Sequence, residues 1–312
     1  MTTWREAPGA ATAPRTEPAA VTIGAFDGVH RGHQALLRRT REAGDGLPVV
    51  AVTFDPHPVA VVAPDRVPPR LTSLQRRIEL LHAHGADEVR VLAFDREMSS
   101  MSPRDFVTHV LAEQLACGVV VVGRNFRFGA RAAGDVDLLT ELGPELGYAS
   151  RPLDLAGDGE TWSSTRVRTL VAAGDLDGAA QVLGRPHEVE GVVTRGDQRG
   201  RDLGFPTANV PVDASWAVPP DGVYAGRVVD LDGSQEPWPA AISIGTNPTF
   251  DGTERRVESY VMDHGHDLDL YGRRIRVELV RHLRSMVAYR GVEALVEQMH
   301  ADVAAARDAL HS

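Results

Sequence analysis

Lysine is absent from the sequence; all 33 basic side chains are arginine. A Walker A loop needs the lysine of GK[ST], and a protein-kinase fold needs its strand lysine, so neither device for holding phosphates is available. Lysine Schiff-base chemistry is excluded as well. Phosphate handling here must use backbone amides, histidine, arginine, hydroxyls and metal. Cysteine is nearly absent: Cys117 stands alone in an apolar stretch, which excludes an internal disulfide and a cysteine-built zinc site. No apolar run approaches the ~18 residues of a membrane span. Positive charge is also in deficit. The net charge of −10 argues against a general nucleic-acid binder, which needs a basic face, but leaves room for a local cationic pocket. The leading MTTWREAPGAATAPRTEPAA lacks the apolar core of a signal peptide. Residues 1–18 are expected to form a mobile tail, and the cytoplasm is the expected location, with no membrane and no nucleic-acid partner.

What is present divides in two. The 312 residues suffice for two ordinary domains. Four short Val-rich runs, Val21–Phe26, Pro48–Phe54, Glu88–Phe94 and Gly118–Gly123, read as buried strands. Between them lie helical patterns: His33–Ala43, then Thr72–His84 with Thr72 and Gln75 spaced as a capping box, then Ser102–Ala116 with Ser102 as N-cap and Pro103 at the first position. Strand–helix alternation predicts a parallel α/β sheet over residues 19–185, with ligands at the carboxyl ends of its strands. Beyond Leu183-Gly184-Arg185-Pro186 the pattern changes to short β stretches: His187–Arg195, Gly222–Asp230, Ala240–Gly245, Glu258–Asp263 and Arg274–His282. Residues 186–312 are therefore expected to form a small antiparallel barrel closed by a helix near Val292–Leu310, whose apolar face carries Leu295, Met299 and Val303.

Gly24-Ala25-Phe26-Asp27-Gly28-Val29-His30-Arg31-Gly32-His33 leaves the first strand and enters a helix. Such a turn offers free amides at a helix N-terminus, a ready anion site, with His30 and His33 at the same place. A metal site with Asp27 as third ligand and a pair of ordinary surface histidines are the competing readings. Gly123-Arg124-Asn125-Phe126-Arg127-Phe128-Gly129 follows the fourth strand and offers aromatic faces and guanidiniums. Trp162-Ser163-Ser164-Thr165-Arg166-Val167-Arg168 reads as a hydroxyl-capped helix start, a second anion site or a plain cap. Thr53-Phe54-Asp55-Pro56-His57-Pro58 ends the second strand, where Phe54 meets either a ligand ring or the core.

In the second half, Gly204-Phe205-Pro206-Thr207-Ala208-Asn209 sets Thr207 and Asn209 at alternate positions on one face. A hydroxyl and an amide oxygen suit magnesium carrying ATP phosphates; an ordinary turn is the plainer reading. Glu258 shares a strand face with Tyr260, while Val257 and Ser259 point the other way. Such a carboxylate is either a general base for a hydroxyl or a surface glutamate.

Taken in order, GAFDGVHRGHQ, TFDPHP, VVGRNFRFG and SSTRVR resemble the adenylyltransferase half of prokaryotic bifunctional FAD synthetases. LGFPTAN, PDGVYAG, SIGTNPTF, RRVESY and DLYG resemble riboflavin kinases. The resemblance implies a Rossmann-like nucleotidyltransferase domain before a β-barrel riboflavin kinase domain. It implies riboflavin, FMN and ATP as substrates, FAD as product, and Mg2+ with the ATP. By the same resemblance His30 and His33 are catalytic, and Gly24, Phe26, Asp27, Gly28, Ser164, Thr165 and Arg168 face ATP. Phe54, Asn125 and Phe128 face the flavin. Thr207 and Asn209 serve ATP and its metal, Glu258 is the base, and Arg284 meets flavin. The segment Leu283-Arg284-Ser285-Met286-Val287-Ala288-Tyr289 departs from the charged residue and Phe found in many relatives. A homo-oligomer is compatible with this reading. The alternatives are adenylylation of another phosphorylated cofactor precursor and a non-catalytic flavin or nucleotide sensor.

Overall fold

The computed structural model describes residues 4–8, 10–154, 157, 161–195, 203–249, 252–264, 268–287 and 291–311, without the side chains of 247–249 and 252–254. It divides into two compact units, residues 1–68 with 73–163, and 69–72 with 164–312. The helices over residues 164–183 thus group with the second unit, ahead of the expected boundary near residue 185.

The first unit runs β1 (Ala19–Ile23), α1 (Arg31–Gly44), β2 (Val49–Asp55), α2 (Pro58–Val62), α3 (Leu74–Ala83), β3 (Glu88–Ala93), α4 (Arg96–Ser100), α5 (Pro103–Phe106), β4 (Cys117–Gly123), α6 (Val136–Leu146) and β5 (Ala149–Leu153). A wide π-type turn, Val107–Gln114, continues α5. The strands lie in the order β3-β2-β1-β4-β5, and every neighbouring pair is parallel. Helices cover both faces, so Val50, Val52, Val120 and Val122 on one face and Val49, Ala51, Val119 and Val121 on the other are all buried. Sequence order reverses between β1 and β4, which opens a crevice at their carboxyl ends.

The four expected strands are present; β5 is additional. Its sequence ASRPL has no apolar run to announce it. Ser102 caps α5 as expected, accepting from the Asp105 amide at 3.1 Å. Helix α3 differs: Ser73, not Thr72, is its cap, accepting from the Arg76 amide at 3.1 Å. The helix starts at Leu74, so Gln75 stands one position too early for a capping box. The leading segment, expected to be mobile, makes backbone contacts along β3. The Arg5 amide donates to Val91 O at 2.8 Å and the Ala11 amide to Val89 O at 2.9 Å. The Arg90 guanidinium lies over the Trp4 ring, 5.4 Å from its centre.

The second unit runs α7 (Ser164–Ala172), α8 (Leu176–Leu183), β6 (His187–Val192), β7 (Ala208–Val212), β8 (Gly222–Asp230), β9 (Pro237–Thr249), β10 (Gly252–Val261), β11 (Arg274–Ser285) and α9 (Val292–His311). The order β6-β11-β8-β9-β10-β7 is antiparallel throughout. The Thr194 amide donates to Asn209 O at 2.8 Å just beyond β6, which nearly closes the barrel. Strand β7 was not foreseen, because Asn209 and Pro211 mask its pattern. Inside the barrel lie Val189, Val210, Tyr224, Ile242, Ile244, Val257 and Val277. Helix α9 packs outside, with Ala306 and Val303 against Ala225 and Ala241. Among the described residues no helix is long and apolar enough to cross a membrane.

Cys117 sits in the core of the first unit, and burial pushes its thiol pKa up to about 12. The thiolate is the reactive form, so the folded protein is expected to resist a thiol reagent near pH 8 and to titrate one thiol once unfolded. Rapid labelling of the native chain would contradict this burial.

Candidate active sites

The first site is built on the turn from β1 to α1. Three of its residues have left-handed backbone: Phe26 at φ 51, Gly28 at φ 81 and Val29 at φ 38. Only Gly28 adopts this without penalty. Phe26 and Val29 are both fully buried, and that burial offsets their strain. The turn ends at His30, the N-cap of α1, which is 5% exposed. The His30 and His33 rings stack at 3.7 Å and 24°. Phe26 meets His33 edge-on at 5.0 Å. A Cβ on Gly32 would lie 3.0 Å from the His30 ring and 3.1 Å from Trp162 O, so the position has no room for a side chain that the histidines would not have to yield to.

His33 is half-buried. Burial, then His30, then Arg77 hold its pKa well below the ordinary 6.5. His33 is thus held in its neutral form near pH 7. Its Nδ1 is buried without a hydrogen-bond partner among the described residues.

The other expected residues of this half distribute differently. Gly24 and Asp27 belong to the same turn, with Asp27 buried. Phe54 and Phe128 are core residues, 8% and 6% exposed, packed against Phe94 and Phe106 respectively. Asn125 is exposed, and the half-buried ring is Phe126, stacked on Phe128 at 5.6 Å. The carboxyl ends of β2, β1 and β4 are adjacent, so Phe54, the histidine turn and Asn125 share one edge of the sheet. Ser164, Thr165 and Arg168 belong to the second unit and open α7, where Arg168 Nε donates to Pro69 O at 2.6 Å.

The second site is a cavity of about 260 Å³ between the barrel wall and α9. Thr207, Ser243, Glu258, Tyr260, Arg284 and Met299 contribute to its lining. Strand register explains the grouping. Glu258 pairs directly with Asn209 on β7 and with Ser243 on β9. Directly opposed residues share a face with Cβ atoms about 5 Å apart, so an amide and a hydroxyl flank the carboxylate. Val257 and Ser259 are fully buried inside the barrel, as their alternation required. Asn209 Nδ2 donates to Thr207 O at 3.1 Å and to Thr207 Oγ1 at 3.3 Å. That orientation leaves Asn209 Oδ1 and the Thr207 hydroxyl as two neutral oxygen ligands side by side.

Among the described residues no three His, Cys, Asp or Glu side chains gather as a metal site. Two neutral oxygens suit a magnesium ion that arrives on triphosphate, since the ion keeps waters and phosphate oxygens as its other ligands. Arg284 makes a bidentate pair with Asp302 of α9, at 2.7 and 2.6 Å, and Gln298 braces the same carboxylate at 2.9 Å. Ser243 and Asp302 were missed from sequence. Asp302 had a signal: it falls on the helix face of Leu295 and Met299, and an acid on an apolar face calls for a cation opposite. Tyr289 lies outside the described residues.

Comparison with known proteins agrees with this division. The FAD synthetase family model matches residues 12–166, and the riboflavin kinase family model matches residues 183–310. The bifunctional riboflavin kinase/FMN adenylyltransferase of Escherichia coli (strain K12) is 38% identical over 295 residues, covering 94% of this chain and 93% of its own. Its counterpart from Pseudomonas fluorescens is 39% identical over 300 residues, covering 94% of both chains. A solved structure described as a macrolide-efflux protein from Streptococcus pneumoniae superposes with a TM-score of 0.82 at 29% identity, covering 94% of this chain and 95% of that one.

The depressed His33 pKa has a consequence for stability. Between the folded value and 6.5 the unfolded chain binds more protons, so unfolding free energy falls as pH drops through that window. Denaturant unfolding of the first unit is expected to show this loss below pH 6.5, and His33→Gln to show less of it. Parallel pH curves for the two proteins would mean that the ring is not held neutral.

Proposed function

We propose, from the premise that this chain belongs to the bifunctional riboflavin kinase/FMN adenylyltransferase family, that residues 19–185 carry the adenylylation of FMN and residues 186–312 the phosphorylation of riboflavin. The protein is a transferase that phosphorylates riboflavin to FMN and adenylylates FMN to FAD with release of pyrophosphate. Adenylylation of some other precursor and a catalytically silent sensor, both open from sequence alone, give way to that membership. The working boundary between the activities lies near residue 185.

In the second unit, Glu258 accepts the proton of the riboflavin 5′-hydroxyl as that oxygen attacks the γ-phosphorus of ATP and ADP leaves. Thr207 and Asn209 hold Mg-ATP; the bound magnesium offsets charge on the phosphates. Arg284 and the apolar side chains of α9 line the flavin side. The observation that carries this reading is the register Asn209–Glu258–Ser243, which sets the Asn209 amide and the Ser243 hydroxyl beside a carboxylate that lines the cavity. In the first unit, the FMN phosphate attacks the α-phosphorus of ATP. His30 and His33 steady the charge that develops there, with Gly24, Phe26, Asp27 and Gly28 shaping the turn. Ser164, Thr165 and Arg168 contribute to the ATP phosphates. Phe54, Asn125 and Phe128 define the flavin side, with Phe126 as the accessible ring. Neither reaction needs a covalent enzyme intermediate; both rest on positioning. The protein acts in the cytoplasm on small molecules.

Two substitutions, each assayed for both activities, test the assignment. Glu258→Gln is expected to slow FMN formation by about 10²–10⁴ while sparing FAD formation from supplied FMN. His33→Ala is expected to slow FAD formation by about 10²–10³ while sparing riboflavin phosphorylation. Near-normal kinase turnover in Glu258→Gln would return that residue to a structural role.

A further inference from the structure

We propose that Arg77 is a positioning residue of the adenylyl-transfer site, fixing the histidine turn from beneath and placing a permanent positive charge that acts on His33. The inference rests on the assignment of adenylyl transfer to the first unit. Arg76 and Arg77 are neighbours on α3; Arg76 is half-buried and reaches Glu79 at 3.3 Å, whereas Arg77 is turned in and 6% exposed.

Its contacts form a short relay. Arg77 Nη1 donates to Thr53 Oγ1 at 3.2 Å and to Phe54 O at 3.1 Å. Thr53 Oγ1 donates in turn to Ala25 O at 3.0 Å. Ala25 immediately precedes Phe26, where the left-handed backbone begins. One guanidinium therefore ties α3 to the end of β2 and to the exit from β1. Arg77 Nε has no hydrogen-bond partner among the described residues, so the group keeps donor capacity in a buried position.

A buried guanidinium is a poor source of stability compared with an apolar side chain of the same volume, even where acids face it. The acidic groups facing it are Asp27 of the turn and Asp55 at the end of β2, and both favour its charged form against the desolvation that opposes it. That charge also helps to hold His33 neutral, after burial and His30. A triphosphate entering at the turn thus meets a cation that needs no proton and a neutral imidazole. The turn depends on Arg77 for shape and the anion depends on it for charge.

The test uses the full chain, with FAD formation from FMN and Mg-ATP, riboflavin phosphorylation and the NMR titration of His33 measured on each variant. Arg77→Met is expected to lower the kcat of adenylylation by about 10²-fold, to leave riboflavin phosphorylation unchanged, and to move the His33 titration upward. Arg77→Lys, which keeps the charge, is expected to recover activity to within about tenfold of wild type and to leave His33 titrating low. Thr53→Val breaks only the relay and is expected to slow adenylylation about tenfold with the His33 titration in place. Wild-type adenylylation in Arg77→Met overturns the proposal. A slowed Arg77→Met with an unmoved His33 titration and no rescue by lysine also overturns it, leaving a structural role only. Should Arg77→Met fail to fold, wild-type adenylylation in Thr53→Val overturns it instead. His33→Ala separates the two levels: if that variant keeps full adenylylation the site assignment itself falls, whereas an inactive His33→Ala beside a fully active Arg77→Met removes Arg77 alone.

Discussion

The turn between β1 and α1 is the constraint on which the first unit is organised. Two non-glycine residues in left-handed backbone cost roughly 1–2 kcal/mol each. The surrounding structure must over-determine them, and it does so with apolar burial. Phe26 and Val29 are fully buried in the cluster that also holds Leu37, Ile78 and Leu81. Fully burying side chains of this size is worth roughly 2 kcal/mol apiece, enough to hold the strain. The strained segment then delivers His30 as a helix N-cap and brings its ring onto His33 one helical turn further. Strain, core packing and ring stacking are parts of one local solution.

In the second unit the constraint is register. The side-chain period of a strand is two, so a one-residue slip of β10 would carry Glu258 into the barrel and expose Val257. The closed interior of Val, Ile and Leu side chains forbids that slip. The Arg284–Asp302 pair has a related role at the cavity's far wall: it fixes where α9 stands on the barrel, and hence how much room lies over Glu258.

Much of this was legible in the sequence, for reasons that can be named. The buried parallel strands announced themselves as Val-rich runs, and β8 and α9 by period and turn chemistry. The strands that escaped notice, β5 and β7, contain Pro152 and Pro211 and polar residues, and are defined by pairing rather than by pattern. Glu258, Thr207 and Asn209 were named from motif order, and the barrel register places them together. Phe54 and Phe128 were named from their motifs, and burial in the core is a property of these rings that the motifs did not announce. Arg77 was illegible for a different reason. A charged residue on a helix is solvated by default, and only the neighbours supplied by the tertiary fold show that it is not.

The parallel sheet has two edges, at β3 and β5. Along β3 the leading segment takes up Val89 O and Val91 O, two carbonyls that would otherwise be offered to any passing strand. On β5, Pro152 withholds an amide and Arg151 is an exposed charge. Open edges are templates on which chains add to one another, and these are the devices that blunt them. The described residues that run along β3 thus act as insulation, so that the sheet ends as a boundary of one molecule and not as the first layer of an aggregate.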